Sequence, residues 1–244
     1  MNDNLLFRRG GQRWQIGGMI RLENIGLRYG PDPSGALALD GLDLVLPPGG
    51  IAVVTGPAGA GKTTLLDVLH LAIAPTSGRA VVLDADLATL DRAGRLALRR
   101  RTGRVFGPSR LLEAETVFDN VALPLLLAGG SAARPDTQTR ADVGELLDWL
   151  GLAQKLTWPA HLLSPGDRRL VEVARAVIAQ PALLLADGPT DGLDAERAEQ
   201  VMRLIWEMHL LGATTVIATN DPRLLAWNQA PVIRLVEGRR VDHG

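Results

Sequence analysis

Residues 56–63 read GPAGAGKT: a glycine, four intervening residues and a Gly-Lys-Thr triplet. Glycines at that spacing let successive backbone N–H groups curl around phosphate oxygens, while the lysine neutralises their charge and the threonine hydroxyl can hold magnesium. The candidate phosphate contacts are therefore Gly56, Pro57, Ala58, Gly59, Ala60, Gly61, Lys62, Thr63 and Thr64. Lys62 and Lys155 are the only lysines in the chain, so one of the two stands where phosphate chemistry requires it. The same chemistry needs a carboxylate on the metal side, delivered by a buried strand to the edge of a sheet. Asp187 ends the apolar run LLLAD and meets that need, which makes Thr63 and Asp187 the candidate metal ligands. An aspartate after an apolar strand is by itself most often a strand end. With the loop upstream, the pair points to a nucleoside triphosphate and magnesium.

The elements around these residues must position them. Ile51 to Thr55 is a short apolar run that enters the glycine loop and continues as LLDVLHLAI, with helical spacing: strand, loop, helix, with the helix N-terminus aimed at the anion. Downstream, Arg168 to Ala179 and Ala195 to Leu211 read as helices, and Leu183 to Ala186 and Thr214 to Thr219 as buried strands. Short strands alternating with helices indicate a mainly parallel sheet. Upstream, the alternation from Met19 in MIRLENIGLRYG and the stretch Ala38 to Leu46 suit two strands of an antiparallel edge sheet. Between about Asp84 and Pro165 the pattern is mostly helical, with polar breaks at Gly129 to Thr139 and near Thr157 to Pro159, which suggests a helical insertion over about 86–165. No fixed-period repeat or sustained heptad pattern is present.

Composition removes several classes of function. With 46% hydrophobic and 22% charged residues the chain is neither disordered nor fibrous. Its 26 basic and 27 acidic residues leave a net charge of -1, so no overall field draws it to nucleic acid, and no nucleic-acid partner is expected. The absence of cysteine removes disulfides, thiolate nucleophiles and cysteine zinc sites, and is compatible with a reducing cytoplasm. The richest apolar stretch, Val121 to Ala128, is broken by Pro124 and falls well short of the ~18 residues a membrane span needs. Residues 1–18 lack the apolar segment and cleavage site of a secretory signal. They read as a flexible extension, or as an upstream start before Met19, ahead of one domain over 19–244.

In their order these motifs resemble the nucleotide-binding subunit of ABC-type ATPases, over about Met19 to Gly244. Tyr29 in GLRYG stands where that family places an aromatic that stacks on adenine. LSPGD, from Leu163 to Asp167, is similar to the family's LSGGQ signature, LLLADGPTDGLD, from Leu183 to Asp194, to LLLADEPTGNLD, and VIATND, from Val216 to Asp221, to VLMATHD. The resemblance implies an α/β P-loop NTPase fold of ABC type, with a mainly parallel core sheet, an N-terminal antiparallel sheet and a helical insertion. It also implies ATP and Mg2+ as ligands. It implies a head-to-tail homodimer in which Ser164 and Gly166 of one subunit close on the other's nucleotide, with Asp194 in a subunit-facing loop. The stretch Arg110 to Gly129 and the ending Pro231 to Val241 most resemble the cell-division branch, FtsE. That branch implies an integral membrane FtsX-like partner and a peripheral place on the cytoplasmic face of the inner membrane. Lipoprotein-release and macrolide-export ATPases are the nearest other branches.

The departures from the family pattern bear on catalysis. Gly188 follows Asp187 where active members carry the glutamate that activates water, and glycine has no side chain to accept a proton. Asn220 replaces the histidine that contacts the γ-phosphate, and Gly107 replaces the glutamine that senses magnesium and the attacking water. Pro165 replaces the first glycine of the signature and removes one backbone N–H. A missing base costs roughly 10²- to 10⁴-fold and a lost transition-state donor about 10²- to 10³-fold. Nucleotide binding is therefore expected with slow or absent hydrolysis. Asp191 could serve as a displaced carboxylate, although a turn aspartate followed by Gly192 is the commoner role. The alternatives are a working exporter ATPase that uses another base, a nucleotide-free scaffold, and a heterodimer with an intact subunit. Arginines 92, 95, 99, 100, 101 and 104 form either a solvated helix face or a basic surface for a partner. Val117 to Leu127 is either a groove lining for the membrane subunit or a buried helix.

Overall fold

The computed structural model describes residues 18–30, 37–128, 135–226 and 230–241. The extension read over residues 1–18 lies outside them apart from Gly18, as does most of the polar break before Thr139. In chain order the elements are β1 (Ile20–Arg28), β2 (Leu37–Leu46), β3 (Ile51–Thr55), α1 (Lys62–Leu69), β4 (Ser77–Val82), β5 (Ala85–Asp86) and α2 (Arg92–Arg100). They continue with β6 (Thr102–Val105), α3 (Val117–Ala128), α4 (Thr137–Trp149), α5 (Pro165–Val177), β7 (Leu183–Asp187), α6 (Ala195–Leu210), β8 (Thr214–Ala218), α7 (Pro222–Leu225), β9 (Val232–Val236) and β10 (Arg239–Val241).

The strands form an antiparallel sheet in the order β2-β1-β4-β5 and a second sheet in the order β10-β9-β3-β8-β7-β6. In the second sheet only the β9–β10 hairpin is antiparallel. Its central strands β3, β8 and β7 are mostly apolar because both faces are covered. Alternate residues still part company: Ile51, Val53, Leu184, Ala186 and Ile217 enter a core shared with α3 to α6. Ala52, Val54, Leu183, Leu185, Val216 and Ala218 face α1 and the antiparallel sheet. Burying each Val, Leu or Ile of these strands contributes about 1.5–3 kcal/mol.

The fold class matches the expectation, with corrections in detail. The stretch read as helical from Asp84 onward contains β5 and β6. Residues 102–105 pair in register with β7, Thr102 opposite Leu183 and Val105 opposite Ala186, so they belong to the core sheet. Their sequence, TGRV, offers no apolar run by which to see a strand. Helix α1 stops at Leu69 rather than running to Ile73, because Leu71 takes a positive φ of 58°. Helix α5 starts three residues earlier than the pattern suggested: Ser164 caps it by accepting the Asp167 N–H, and Pro165 sits in its first turn, where its fixed φ suits the helix and its missing N–H has no helical partner to lose.

The helices that cover one face of the sheet are tied to the loops before them by buried polar groups. Asn120, fully buried in α3, accepts the Leu112 N–H at 2.8 Å and donates to the Leu112 and Thr116 carbonyls, each at 3.0 Å. Glu172, fully buried in α5, accepts the Arg110 N–H at 2.6 Å and pairs with Arg169 at 3.1 Å. Burial pushes its carboxyl up against the opposing pull of that N–H and its arginines. Replacing Asn120 with alanine strands the Leu112 N–H in a dry environment and should cost about 2 kcal/mol. Thermal unfolding of Asn120→Ala should show a midpoint lower by about 4–8 °C. An unchanged midpoint would show that the side chain does not hold this loop.

Candidate functional site

Because β3, β8 and β7 run parallel and adjacent, their C-terminal ends reach one edge of the sheet. The 56–61 loop leaves β3 there, Asp187 ends β7, and Asn220 follows β8. The loop is tight enough to exclude side chains at its two hinges. A Cβ on Gly56 (φ 149°) would lie 2.1 Å from the Leu235 carbonyl oxygen, and one on Gly61 (φ 98°) 2.4 Å from that of Ala38. Gly61 precedes α1 with no side-chain cap, so the free N–H groups of that helix end are left to an anion.

The structure brings most of the sequence-derived contacts together. The Lys62 ammonium donates to the Gly56 carbonyl at 2.6 Å and the Pro57 carbonyl at 2.9 Å, so a positive charge is held against the loop. The Thr63 hydroxyl donates to Asp187 at 2.7 Å, joining the two proposed metal ligands. A hydroxyl and a carboxylate side by side are hard oxygen ligands of the kind magnesium takes with phosphate oxygens. Among the described residues no group of three or more His, Cys, Asp or Glu side chains could hold a metal unaided. Tyr29 follows β1, with its hydroxyl 3.2 Å from that of Thr64 and its side chain 55% exposed, available for stacking. Asn220 accepts from the Thr55 hydroxyl at 3.0 Å and the Gly56 N–H at 3.3 Å, which ties the end of β8 to the loop.

Gly107 and Gly188 both border Asp187; a Cβ on Gly107 would lie 3.2 Å from an Asp187 oxygen. Asp191 stands on the turn after Gly188. Burial pushes its carboxyl up, Arg169 opposes this, and Asp187 and Asp221 add to it. Asp221 behaves oppositely: hydrogen bonds from Arg223 above all, and from Thr190, outweigh burial and hold it near 2.

Ser164 and Gly166 form a second cluster around Asp167, reached from the first through the 188–193 turn. Asp167 is almost fully buried, 2.6 Å from Lys155, 2.7 Å from the Ser164 hydroxyl and 3.1 Å from Arg197. Burial pushes its carboxyl up, but these partners outweigh that and hold it below the usual range. The second lysine thus anchors the start of α5. Asp194 caps α6, accepting the Arg197 N–H at 2.9 Å.

The arginine run divides. Arg92, Arg95, Arg99 and Arg100 are exposed on α2, whereas Arg104 is buried in β6 and pairs with Asp67 at 3.1 Å. Alternation along β6 turns Arg104 inward, which a strand hidden in a helical pattern could not reveal. Its Nε and Nη1 are buried without a hydrogen-bond partner. The guanidinium of Arg104 borders a groove of about 480 Å³ between α2, α3 and α5, lined also by Leu96, Phe106, Leu123, Leu127 and Arg110. His70, beside Phe106, is pushed down to about 4, first by burial and then by Arg104, Arg99 and Arg110, so arginine supplies the groove's charge near neutral pH. Of α3, residues 117, 120, 121 and 122 are buried, as the buried-helix reading expects, while Leu127 is exposed and lines the groove.

One contributor escaped the sequence reading. The β9–β10 hairpin places Gly238 so that its N–H donates to the Ala60 carbonyl at 3.1 Å and its carbonyl accepts the Asp40 N–H at 3.0 Å, buttressing the loop. The available signal was Glu237-Gly238, a turn pair whose φ values are both positive.

Comparison with known proteins accords with this geometry. Residues 39–191 match the family model described as ABC transporter. The chain is 39% identical over 229 residues to methionine import ATP-binding protein MetN 1 of Burkholderia lata, covering 93% of this chain and 65% of that protein. It is 36% identical over 220 residues to cell division ATP-binding protein FtsE of Escherichia coli (strain K12), covering 90% of this chain and 96% of that one. The dimeric post-hydrolysis structure of the ATP-binding cassette MJ0796, bound to ADP and Pi, superposes with a TM-score of 0.83 at 27% identity, covering 91% and 97% of the two chains. With its phosphate loop, its Thr63–Asp187 pair and these relatives, the chain belongs to the ABC transporter family as an ATP-binding cassette.

Proposed function

We propose that this chain binds Mg-ATP as the nucleotide-binding subunit of a cell-division membrane complex, pairing head to tail with a second copy, and that its hydrolysis is slow. The observation that carries the reading is a division within the site. Thr63 lies 2.7 Å from Asp187 and Lys62 is held against the loop, while positions 107 and 188, both beside Asp187, bear no side chain. Lys62, the loop N–H groups and the start of α1 take the phosphates, Tyr29 takes the adenine, and Thr63 and Asp187 take magnesium together with phosphate oxygens. Magnesium, when bound, offsets the charge of the phosphates. Ser164 and Gly166 contribute to the nucleotide of the second copy. Binding energy, rather than turnover, then drives the switch.

The groove between α2, α3 and α5 receives the membrane subunit in this reading. Its apolar lining with arginines at the margin suits an amphipathic helix that carries carboxylates. The FtsE relative, matched over 96% of its length, and the FtsE-like segments support an FtsX-type partner at the cytoplasmic face of the inner membrane. Among the described residues no helix is long and apolar enough to cross a membrane. The likeness to a methionine import ATP-binding protein supports a second reading, service to an importer. Copurification with an FtsX-type subunit, set against the membrane part of a methionine importer, separates the two.

Calorimetric titration with Mg-ATP should show saturable binding that weakens roughly 10- to 100-fold in Lys62→Ala, since a charged hydrogen bond contributes about 1.5–3 kcal/mol. Phosphate release on the same sample should be slow, and brisk release would sink the switch reading. Leu127→Asp should abolish capture by a detergent-solubilised FtsX-type subunit and leave Mg-ATP affinity unchanged, because Leu127 is 54% exposed and lies away from the loop. Undiminished capture would place the partner elsewhere.

A further inference from the structure

Gly188 has a φ of +54°, and a Cβ built on it would lie 2.0 Å from Asp191 Oδ2 and 2.7 Å from Asp191 Cγ. A side chain at position 188 and the Asp191 carboxylate therefore compete for one volume, and here the carboxylate holds it. The backbone fixes this arrangement: the Gly188 N–H donates to the Ala218 carbonyl at 2.8 Å, and the Asp191 N–H donates to the Gly188 carbonyl at 3.1 Å. The turn is thereby pinned to the strand end that carries Asp187.

A turn aspartate ordinarily works by accepting a nearby backbone N–H. Asp91, Asp136, Asp194 and Asp221 all do so at helix starts in this chain. Asp191 does not: among the described residues no hydrogen bond engages its carboxylate. It fills the volume beside Gly188, the residue that follows Asp187, whose own carboxylate accepts the Thr63 hydroxyl.

We infer that Asp191 supplies the water-activating carboxylate of this chain, taking the place left without a side chain at Gly188; the inference rests on the Mg-ATP reading above. In the step it assists, a water oxygen bonds to the γ-phosphorus and one water proton passes to an Asp191 oxygen. The bond from the γ-phosphorus to the β–γ bridging oxygen breaks, its electron pair leaving on ADP, and inorganic phosphate and the proton are then released. Asp191 reaches only as far as the root of a side chain at 188, short of where a glutamate carboxylate there would extend. That shortfall makes turnover slow rather than absent.

The test uses the full chain as wild type, Asp191→Asn, Asp191→Glu and the exchange variant Gly188→Glu/Asp191→Ala. Three quantities are read: Mg-ATP affinity, phosphate release at saturating Mg-ATP, and retention of Mg-ADP after addition of orthovanadate. Wild type should release phosphate slowly. Asp191→Asn should lower that rate roughly 10²-fold, the low end for loss of a base, and reduce vanadate-dependent retention, with ATP affinity held within about twofold. Asp191→Glu should retain measurable release, and the exchange variant should exceed wild type despite the strain of a glutamate at a φ of +54°. Equal rates in wild type and Asp191→Asn would overturn the inference and leave Asp191 a turn residue. Release undetectable in wild type that still binds Mg-ATP would overturn it with the binding reading intact. Failure of wild type to bind Mg-ATP would instead remove the binding reading, and this inference with it.

Discussion

One hydrogen bond gathers the site: the Thr63 hydroxyl on the Asp187 carboxylate, spanning 124 positions of sequence at 2.7 Å. Asp187 ends β7, whereas Thr63 lies at the start of α1, after the loop that leaves β3; β3 and β7 do not touch each other, because β8 lies between them. Ala218 of β8 stands opposite Val54 on one side and Asp187 on the other, so a single residue sets the register of both. Slipping β7 by one position would turn Asp187 to the opposite face and put Ala186 in its place. The apolar faces of Leu183 to Ala186 prevent that slip, because each already occupies its own core on one side of the sheet or the other. The Thr63–Asp187 pair is therefore a consequence of how the core is packed.

A second constraint acts on the loop itself. Its hinge glycines approach carbonyls from far along the chain, Leu235 near the end and Ala38 near the start, while Gly238 links Ala60 to Asp40. Two distant segments, β2 and the β9–β10 hairpin, thus clamp a loop whose N–H groups must point inward together. Holding those groups in place before a ligand arrives reduces the ordering cost of binding. It also explains why Lys62, with its charge already directed along the loop carbonyls, needs no acidic side chain to position it.

The parts of this site that were legible in the sequence are those whose chemistry is local. The 56–63 loop, its strand and its helix are adjacent residues with one joint function, and Asp187 announces itself at the end of an apolar run. The parts that stayed hidden depend on contacts between distant segments. Thr102–Val105 is a strand only because β7 pairs with it, and its Thr and Gly give no apolar signal. Arg104 reads as one of six arginines until that strand turns it inward against Asp67. The start of α5 lies three residues before the expected Arg168, because Ser164 as cap and Pro165 in the first turn make a favourable start. The role of Gly238 was invisible for the same reason: a hairpin turn says nothing of which loop it will support.

The separation of binding from turnover proposed for this architecture has a physical reason. The groups proposed to bind the nucleotide are locked by packing: a side chain at Gly56 or Gly61 would collide with backbone, and moving Asp187 would disturb a buried strand. The positions that the family resemblance associates with turnover, 107, 188 and 220, lie at strand ends and on the turns after them, beside the cleft. There a side chain can be lost without opening the core, since Gly107 and Gly188 face the Asp187 and Asp191 carboxylates rather than apolar neighbours. Gly188 even relieves strain, because its φ of +54° is a conformation that glycine adopts freely and a glutamate does not. With glycine at 188 the turn settles with Asp191 in the vacant volume. In the proposed reading the scaffold that holds nucleotide can therefore stay intact while the catalytic side of the cleft changes, so that the location of the water-facing carboxylate becomes a property of the turn rather than of the strand.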